Sequence, residues 1–313
     1  MVYLSYILVI LSGLLISVAF FFPKFFILGL IGLVPFLFAI KRDKPAQGFI
    51  KGLLLGIIIS IMTASWLYYP LFEIAGLPLT LTILLMVIVY LILSFFYGLF
   101  TLVYLYIKGS KKFSPFCFAV CWTGIEYLRF RIVSAFPFGF MAYTQTDFYP
   151  LIQFAEVGGI FLISFILFLV NSYFYQLLSN KKLRFLVSLI IIFAVIMTYG
   201  TIRINKFENN EYEMLDVGVI QTILSPEAKR NPANIEVNMN SLVDKSASLS
   251  GVELIVWPES ALKFDFIRNE YYRKKFDNKI KNINKYLQVG SIAVREDDMN
   301  LYGIIKQIDL KGG

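Results

Sequence analysis

Residues 254–260 read Leu-Ile-Val-Trp-Pro-Glu-Ser, an apolar run that ends on a carboxylate, Glu259. Residues 252–257 show no polar alternation after Glu253, which is typical of a β-strand covered on both faces. Enzymes with α/β folds present catalytic groups at the carboxyl ends of such strands. The stretch therefore predicts an α/β domain and makes Glu259 a candidate catalytic residue. The alternative interpretation of the same residues is a surface glutamate that begins a turn.

Strand and helix patterns alternate on both sides of this stretch. We predict strands over 215–221, 252–257, 286–294 and 301–310, and helices over 232–249 and 269–286. The first helix places Ile235, Met239 and Leu242 on one face. This order predicts helices packed against a mixed sheet. Residues 309–313 are typical of a turn, so we expect a partial domain with an unpaired sheet edge and an uncovered apolar face.

The composition of the chain is that of a membrane protein. Hydrophobic residues make up 58% of the 313 residues and charged residues 16%, and the mean hydropathy is +0.70. Soluble domains have about 25% charged residues. Leu, Ile, Phe and Val dominate up to Asn205, and the remainder has an ordinary soluble composition. We therefore predict a membrane domain over 1–204 and a soluble domain over 205–313.

Seven apolar runs are long enough to cross a bilayer, which requires ~20 residues of helix. They cover residues 2–22, 25–40, 49–69, 79–107, 113–134, 150–178 and 185–203. The predicted fold is thus a multi-span α-helical membrane domain of about seven spans, followed by a partial α/β domain.

Basic residues are concentrated in every second loop between these runs. The basic loops contain Lys41, Arg42 and Lys44, then Lys108, Lys111 and Lys112, then Lys181, Lys182 and Arg184. The positive-inside rule places these loops and the amino terminus in the cytoplasm. Residues 205–313 then lie on the periplasmic side of a bacterial inner membrane. The formal charge of +8 is explained by these loops, and it does not indicate nucleic-acid binding.

The chain contains no histidine. This absence excludes a Ser-His-Asp triad, a histidine general base and a histidine-ligated metal. The two cysteines, Cys117 and Cys121, are four residues apart on the fifth apolar run, where we interpret them as small apolar residues on one helix face. The sequence predicts neither a metal site nor a cofactor.

Glu126 and Arg129 are ionisable residues within the fifth apolar run. Such residues usually face a cavity or a partner, because charge is costly at membrane depth. Their spacing places both on one face of a helix. Two alternatives remain open: an internal ion pair that fixes helix packing, or a polar vestibule that binds lipid headgroups. The second makes Glu126 and Arg129 candidate substrate-binding residues.

Several motifs resemble those of one known family. Residues 218–221 (Gly-Val-Ile-Gln) and 253–261 (Glu-Leu-Ile-Val-Trp-Pro-Glu-Ser-Ala) are similar to the opening half of a nitrilase-superfamily domain, which has an αββα fold. Together with seven upstream spans, they resemble the bacterial apolipoprotein N-acyltransferases. The membrane part agrees at residues 21–23 (Phe-Phe-Pro), Trp66, 126–129 (Glu-Tyr-Leu-Arg), 136–139 (Phe-Pro-Phe-Gly), 143–145 (Tyr-Thr-Gln) and 150–171.

The resemblance implies acyl transfer at the membrane surface. In that family a cysteine takes an acyl chain from a phospholipid donor as a thioester, and the amino-terminal amine of a diacylglyceryl apolipoprotein accepts it. A glutamate is the general base, and a lysine stabilises the oxyanion. Glu259 matches that glutamate, and burial of its strand end is expected to desolvate the carboxylate and make it a stronger base. The family's lysine and cysteine match no residue here, because they lie beyond the point that corresponds to Gly313.

Two hypotheses follow from this resemblance. In the first, the protein is an N-acyltransferase whose lysine and cysteine lie outside these 313 residues or on a second polypeptide. In the second, it is a truncated, non-catalytic membrane remnant that at most binds lipid. A transporter is disfavoured, because the sequence shows no inverted repeat and no paired broken helices.

Overall fold

The computed structural model describes residues 2–108, 114–133, 138–209, 212–221, 228, 231–259, 261–266, 268–281, 283, 286–294 and 301–308. The chain divides into two compact units, residues 1–210 and residues 211–313. The last helix of the first unit continues to Glu208, a few residues beyond the division predicted at Asn205.

The described part of the first unit is built from α-helices. They are α1 (Val2–Phe21), α2 (Phe26–Ile31), α3 (Val34–Ala39), α4 (Pro45–Ala64), α5 (Leu79–Lys108), α6 (Pro115–Ile132), α7 (Tyr149–Ile152), α8 (Ala155–Asn180) and α9 (Leu183–Glu208). Short 3₁₀ or π turns at Pro23–Phe25, Ser65–Leu67, Pro70–Ile74 and Met141–Gln145 connect them.

Among the described residues, five helical segments are long and apolar enough to cross a membrane. They are Tyr3–Phe21, Pro45–Ile74, Leu79–Lys108, Ala155–Asn180 and Leu183–Glu208. The other two predicted spans differ from these. Residues 25–40 form two six-residue helices, α2 and α3, and α6 carries Glu126, Arg129 and Arg131. The total of seven spans stays a prediction.

An aromatic cluster forms much of the core of the first unit, where α5, α6 and α8 meet. The ring centroids of Phe100 and Trp122 are 4.3 Å apart, as are those of Trp122 and Phe168. Phe100, Phe118 and Phe168 are fully buried. Ring pairs at such separations contribute about 0.5–1.5 kcal/mol beyond their buried area. This cluster fixes the three helices relative to one another and therefore positions Glu126 on α6.

The described residues of the second unit form a mixed sheet of five strands. They are β1 (Val217–Val219), β2 (Leu254–Val256), β3 (Leu262–Asp265), β4 (Tyr286–Val294) and β5 (Leu301–Ile308). β2 lies between β1 and β4 and is parallel to both. β3 is also parallel to β4, and β5 is antiparallel to it. Within the described residues, α10 (Ile235–Ser248) and α11 (Glu270–Ile280) accompany the sheet.

Apolar side chains from the strands and both helices form the core of this unit. Ile255 and Leu287 from the sheet are fully buried against Met239 of α10 and Phe276 of α11. Lys275 of α11 also donates a hydrogen bond to Glu236 of α10, which holds the pKa of that carboxyl below its ordinary value.

The predicted mixed sheet and the bounds of β4 are confirmed, whereas β3 was not predicted from the sequence. On β1 the side chains of Val217 and Val219 are exposed, so the described residues leave that apolar face of the strand uncovered.

Candidate active site

Glu259 lies in a turn directly after β2, the strand between two parallel neighbours. The amide of Trp257 continues the sheet ladder by donating to the carbonyl of Gln288 at 2.9 Å. The chain then leaves the sheet at Pro258, whose ring restricts φ immediately before the carboxylate. Glu259 is thus presented at the carboxyl end of a parallel strand, the edge where α/β proteins bind their ligands.

Two anchors hold this turn against α10. The indole nitrogen of Trp257, whose side chain is 2% exposed, donates to the hydroxyl of Ser246 at 2.9 Å. On the other side of Glu259, the side-chain amide of Asn238 donates to the carbonyl of Ala261 at 2.8 Å. Both contacts are buried, so the backbone on each side of Glu259 is fixed to one helix. Neither Asn238 nor Ser246 was a candidate from the sequence, because no local pattern reveals a partner on another element.

The carboxylate itself is exposed in the described structure. The burial of the strand thus ends at Trp257, and the turn carries Glu259 out of the core. Gln221 follows the adjacent strand β1 and is also exposed. The amide of Ile220 donates to the carbonyl of Val256 at 3.0 Å, so β1 and β2 end side by side.

Glu126 and Arg129 are both buried on α6, with 5% and 3% of their surface exposed. They form no direct ion pair: among the described residues, no arginine nitrogen comes within 4.0 Å of the Glu126 carboxylate. Instead, one carboxylate oxygen accepts a hydrogen bond from the amide of Met141 at 3.1 Å. The guanidinium of Arg129 lies 4.5 Å from the centre of the Phe140 ring. The i,i+3 spacing therefore does not bring the two charged groups into direct contact, because each side chain packs against the segment after α6.

A small cavity borders both side chains. Its volume is about 10 Å³, and Tyr97, Phe100 and Trp122 form much of its wall. Glu126 Oε2 and Arg129 Nε and Nη2 are buried without a hydrogen-bond partner among the described residues. A single water molecule needs a cavity of roughly this size. A bridging water would satisfy these groups, whereas a phosphate headgroup is too large for the space.

The two cysteines lie far along the sequence from Glu259, on α6. Their sulfur atoms are 4.0 Å apart, both thiols are free, and both side chains pack against the aromatic core of the first unit. Within the part of the chain that the structure describes, no group of three or more Cys, Asp or Glu side chains could hold a metal ion.

A unit of long apolar helices joined to an α/β unit, with a carboxylate after its central parallel strand, defines a multi-span membrane protein with an α/β domain. The family model of the apolipoprotein N-acyltransferase N-terminal domain matches residues 12–173, which is more than half of the chain. The chain belongs to the apolipoprotein N-acyltransferase family.

Curated relatives with that name extend the similarity into the second unit. The protein of Geobacter metallireducens is 27% identical over 312 residues, which cover 95% of this chain and 59% of the relative. The Coxiella burnetii protein is 24% identical over 253 residues, covering 80% and 52%, respectively. The Rickettsia typhi protein is 24% identical over 327 residues, covering 98% and 62%. The chain thus spans between about half and three-fifths of the length of these relatives.

Proposed function

We propose that this protein takes part in the N-acylation of lipoproteins, with a phospholipid as acyl donor and a diacylglyceryl apolipoprotein as acceptor. The observation that carries the proposal is the family match over residues 12–173, together with Glu259 after the central parallel strand. Membership of the family supplies the reaction type, and the position of Glu259 supplies a base.

In the proposed reaction, Glu259 removes the proton from a cysteine thiol. The thiolate attacks the ester carbonyl of the phospholipid, and a lysophospholipid leaves with the proton returned by Glu259. The acceptor amine then attacks the resulting thioester and gives a proton to Glu259, an amide bond forms, and the thiolate leaves and regains that proton. The cysteine and the oxyanion-stabilising lysine match none of the 313 residues, so residues outside them or a second polypeptide would contribute both groups.

The proposed architecture follows the same family. The second unit would be the first part of a nitrilase-like αββα domain, and the first unit would contain seven spans, with α2–α3 and α6 added to the five long helices. The second unit would lie on the periplasmic side of the inner membrane. Support comes from the three basic loops, which all belong to the same end of the predicted helix bundle.

Glu126 and Arg129 are retained as proposed substrate-binding residues, with internal packing as the alternative. Their burial and the cavity of about 10 Å³ favour a packing role bridged by water. A headgroup could reach them only if α6 and the segment that carries Met141 moved apart.

The role of Glu259 can be tested with a Glu259→Gln allele in the source bacterium. Loss of a general base reduces turnover by roughly 10²–10⁴-fold. We expect lipoproteins that keep a free terminal amine, measured by mass spectrometry of their amino-terminal peptides. Glu253→Gln is the matched control, because Glu253 is exposed at the opposite end of β2. N-acylated lipoprotein at wild-type levels in the Glu259→Gln strain would refute the assignment of the base.

A second candidate function is lipid binding without catalysis. It is favoured by the position of the two cysteines, which are the only thiols of the 313 residues and lie on a helix of the first unit. We predict that the purified 313-residue chain transfers no acyl group from phospholipid to a diacylglyceryl peptide. A measured acyl transfer would contradict this prediction. The intact mass of the protein in its native membrane would separate a 35.9 kDa product from a longer one.

A further inference from the structure

A groove of about 400 Å³ opens where the start of α1 meets the turn between α3 and α4. Its wall has two kinds of surface. Leu4, Leu8 and Phe38 are apolar, whereas Lys41 and Arg42 are cationic. The groove shares no lining residue with the cavity at Glu126. It is therefore a separate site of the first unit.

A buried lysine shapes the cationic side of the groove. Lys51 of α4 is only 6% exposed, and its ammonium lies 2.7 Å from Asp43 Oδ2 and 2.9 Å from Asp43 Oδ1. The same ammonium donates to the carbonyl of Ala39 at 2.9 Å. Lys51 thus ties the end of α3 to the turn that follows it. Because Asp43 is neutralised by Lys51, its charge does not compensate the neighbouring cations.

Lys41 and Arg42 remain as two exposed cations at the mouth of the groove. Lys41 donates to the hydroxyl of Ser179 at 3.1 Å, and its carbonyl accepts from Lys108 at 3.2 Å. These contacts hold the turn against the ends of α8 and α5. Arg42 has no hydrogen-bond or ion-pair partner among the described residues. Lys41 is therefore held against α8 and α5, whereas the guanidinium of Arg42 is available to a ligand.

The surroundings of the groove match an amphiphile rather than a soluble anion. Tyr3, Leu4 and Ile7 on the outer face of α1 are exposed at 87%, 59% and 58%, as expected for a surface that contacts acyl chains. The apolar wall continues from that surface to the two cations. Basic pockets between membrane helices bind the headgroups of anionic lipids through this combination of charge and apolar contact.

We propose that this groove binds the headgroup of an anionic phospholipid, with its phosphate at Lys41 and Arg42 and its acyl chains along α1. The lipid would lie at the end of the first unit that carries the basic loops. Leu4 and Leu8 precede Phe21 by 17 and 13 residues, so at 1.5 Å per residue the groove is about 20–25 Å from that end of α1. Glu156 at the start of α8 forms an ion pair with Arg203 near the end of α9. These two helix ends are the ones away from the basic loop that joins α8 to α9, and the end of α9 is close in sequence to the point where the chain continues to the second unit. The bound lipid would be a structural lipid of the other leaflet, separate from the acyl donor.

The proposal can be tested by native mass spectrometry of the detergent-solubilised protein, titrated with phosphatidylglycerol or with phosphatidylcholine of the same acyl chains. We expect the wild type to retain phosphatidylglycerol preferentially. Each basic residue near an anionic lipid surface strengthens association roughly fivefold. The Lys41→Gln/Arg42→Gln variant removes two such residues and should therefore lose roughly 25-fold in phosphatidylglycerol affinity and lose the preference. Both residues are exposed, and a circular-dichroism melt verifies that the variant is folded.

Lys182→Gln/Arg184→Gln is the matched control, because it removes two exposed cations near the start of α9, outside the groove. The control should bind phosphatidylglycerol as the wild type does. An equal loss in both variants would show a diffuse charge effect and overturn the proposal. Unchanged binding in Lys41→Gln/Arg42→Gln would also overturn it. Complete competition by millimolar glycerol 3-phosphate would point to a soluble phosphate ligand and reject the lipid. None of these results depends on acyl transfer.

Discussion

The side chain of Asn171 on α8 forms hydrogen bonds with the backbone groups that are left without helical partners between α2 and α3. In a continuous helix the amide of Leu33 would donate to the carbonyl of Gly29. Here the side chain of Asn171 is inserted between them: its oxygen accepts from Leu33 at 2.9 Å and its amide donates to Gly29 at 2.9 Å. Irregular backbone at membrane depth is tolerated only where protein groups satisfy it. Asn171 therefore permits residues 26–39 to form two short helices.

Replacing Asn171 with leucine should destabilise the first unit. The substitution leaves a buried amide and a buried carbonyl without partners, and each such group costs roughly 1–3 kcal/mol. We expect a clear fall in the melting temperature of the detergent-solubilised protein. Asn180→Leu on the same helix is the control, because Asn180 is exposed and, among the described residues, donates to the side chain of Gln176. Equal melting temperatures for the two variants would argue against the inserted amide.

At the residue scale, the sequence is informative where the signal is local. Glu259 could be chosen as a candidate because an apolar strand and a carboxylate are adjacent in the chain, and its catalytic role stays a prediction. Asn171 and Asn238 could not, because their backbone partners are 138 and 23 residues away. The spacing of Glu126 and Arg129 suggested an ion pair, but it could not show that Phe140 would pack against the guanidinium.

At the scale of elements, α4 and α5 pack through a row of small residues. Gly48, Gly52 and Gly56 recur every four residues on α4, a spacing that brings membrane helices close together. A Cβ atom at Gly52 would lie 2.5 Å from the carbonyl oxygen of Tyr97 and 2.9 Å from the Cα of Gly98. Both atoms belong to the backbone of α5, so they cannot give way as a side chain can.

We predict that Gly52→Ala forces α4 and α5 apart and destabilises the protein by about 1–3 kcal/mol, the usual cost of overpacking. The matched control is Gly124→Ala on α6, where an added Cβ meets nothing within 4 Å. That change should be neutral or stabilising, by up to about 1 kcal/mol, because alanine favours helix. Thermal unfolding monitored by intrinsic fluorescence compares the two variants. A Gly52→Ala protein as stable as the control would contradict close packing of α4 on α5.

An element could be predicted from the sequence where its own residues show the pattern of a strand or a helix. Strand β4 was predicted with its observed bounds, because nine residues of mostly apolar sequence stand between polar segments. The four residues of β3 were missed, because their strand conformation depends on pairing with Ser291 and Ile292, almost 30 residues away. Residues 25–40 were predicted as one span. The break within that apolar run depends on Asn171, which the run itself does not contain.

At the scale of the whole molecule, the proposed topology depends on whether α6 crosses the membrane. α6 has the length of a short span, but Glu126, Arg129 and Arg131 keep it outside the set of strongly apolar helices. The burial of Glu126 and Arg129 weakens that objection, because charges inside a helix bundle do not face lipid. Arg131 is exposed, in the last turn of α6. If α6 crosses, the turn before α5 and the residue after α9 lie on the same side. If it does not, they lie on opposite sides.

Single cysteines decide between these two arrangements. In a Cys117→Ser/Cys121→Ser background, we expect Ala75→Cys and Asn209→Cys to react with a membrane-impermeant maleimide in cells whose outer membrane is permeabilised. Lys182→Cys, on the basic side, should react only after the inner membrane is disrupted. All three positions are exposed, so their reactivity reports the side of the membrane and not burial.

Two other labelling patterns would contradict this topology. Labelling of Ala75→Cys without Asn209→Cys would mean that α6 does not cross. Labelling of Lys182→Cys alone would mean that the whole protein has the opposite orientation. Because residues 210–313 follow Asn209 directly, the same experiment determines whether Glu259 faces the compartment in which the proposed acceptor amine is available.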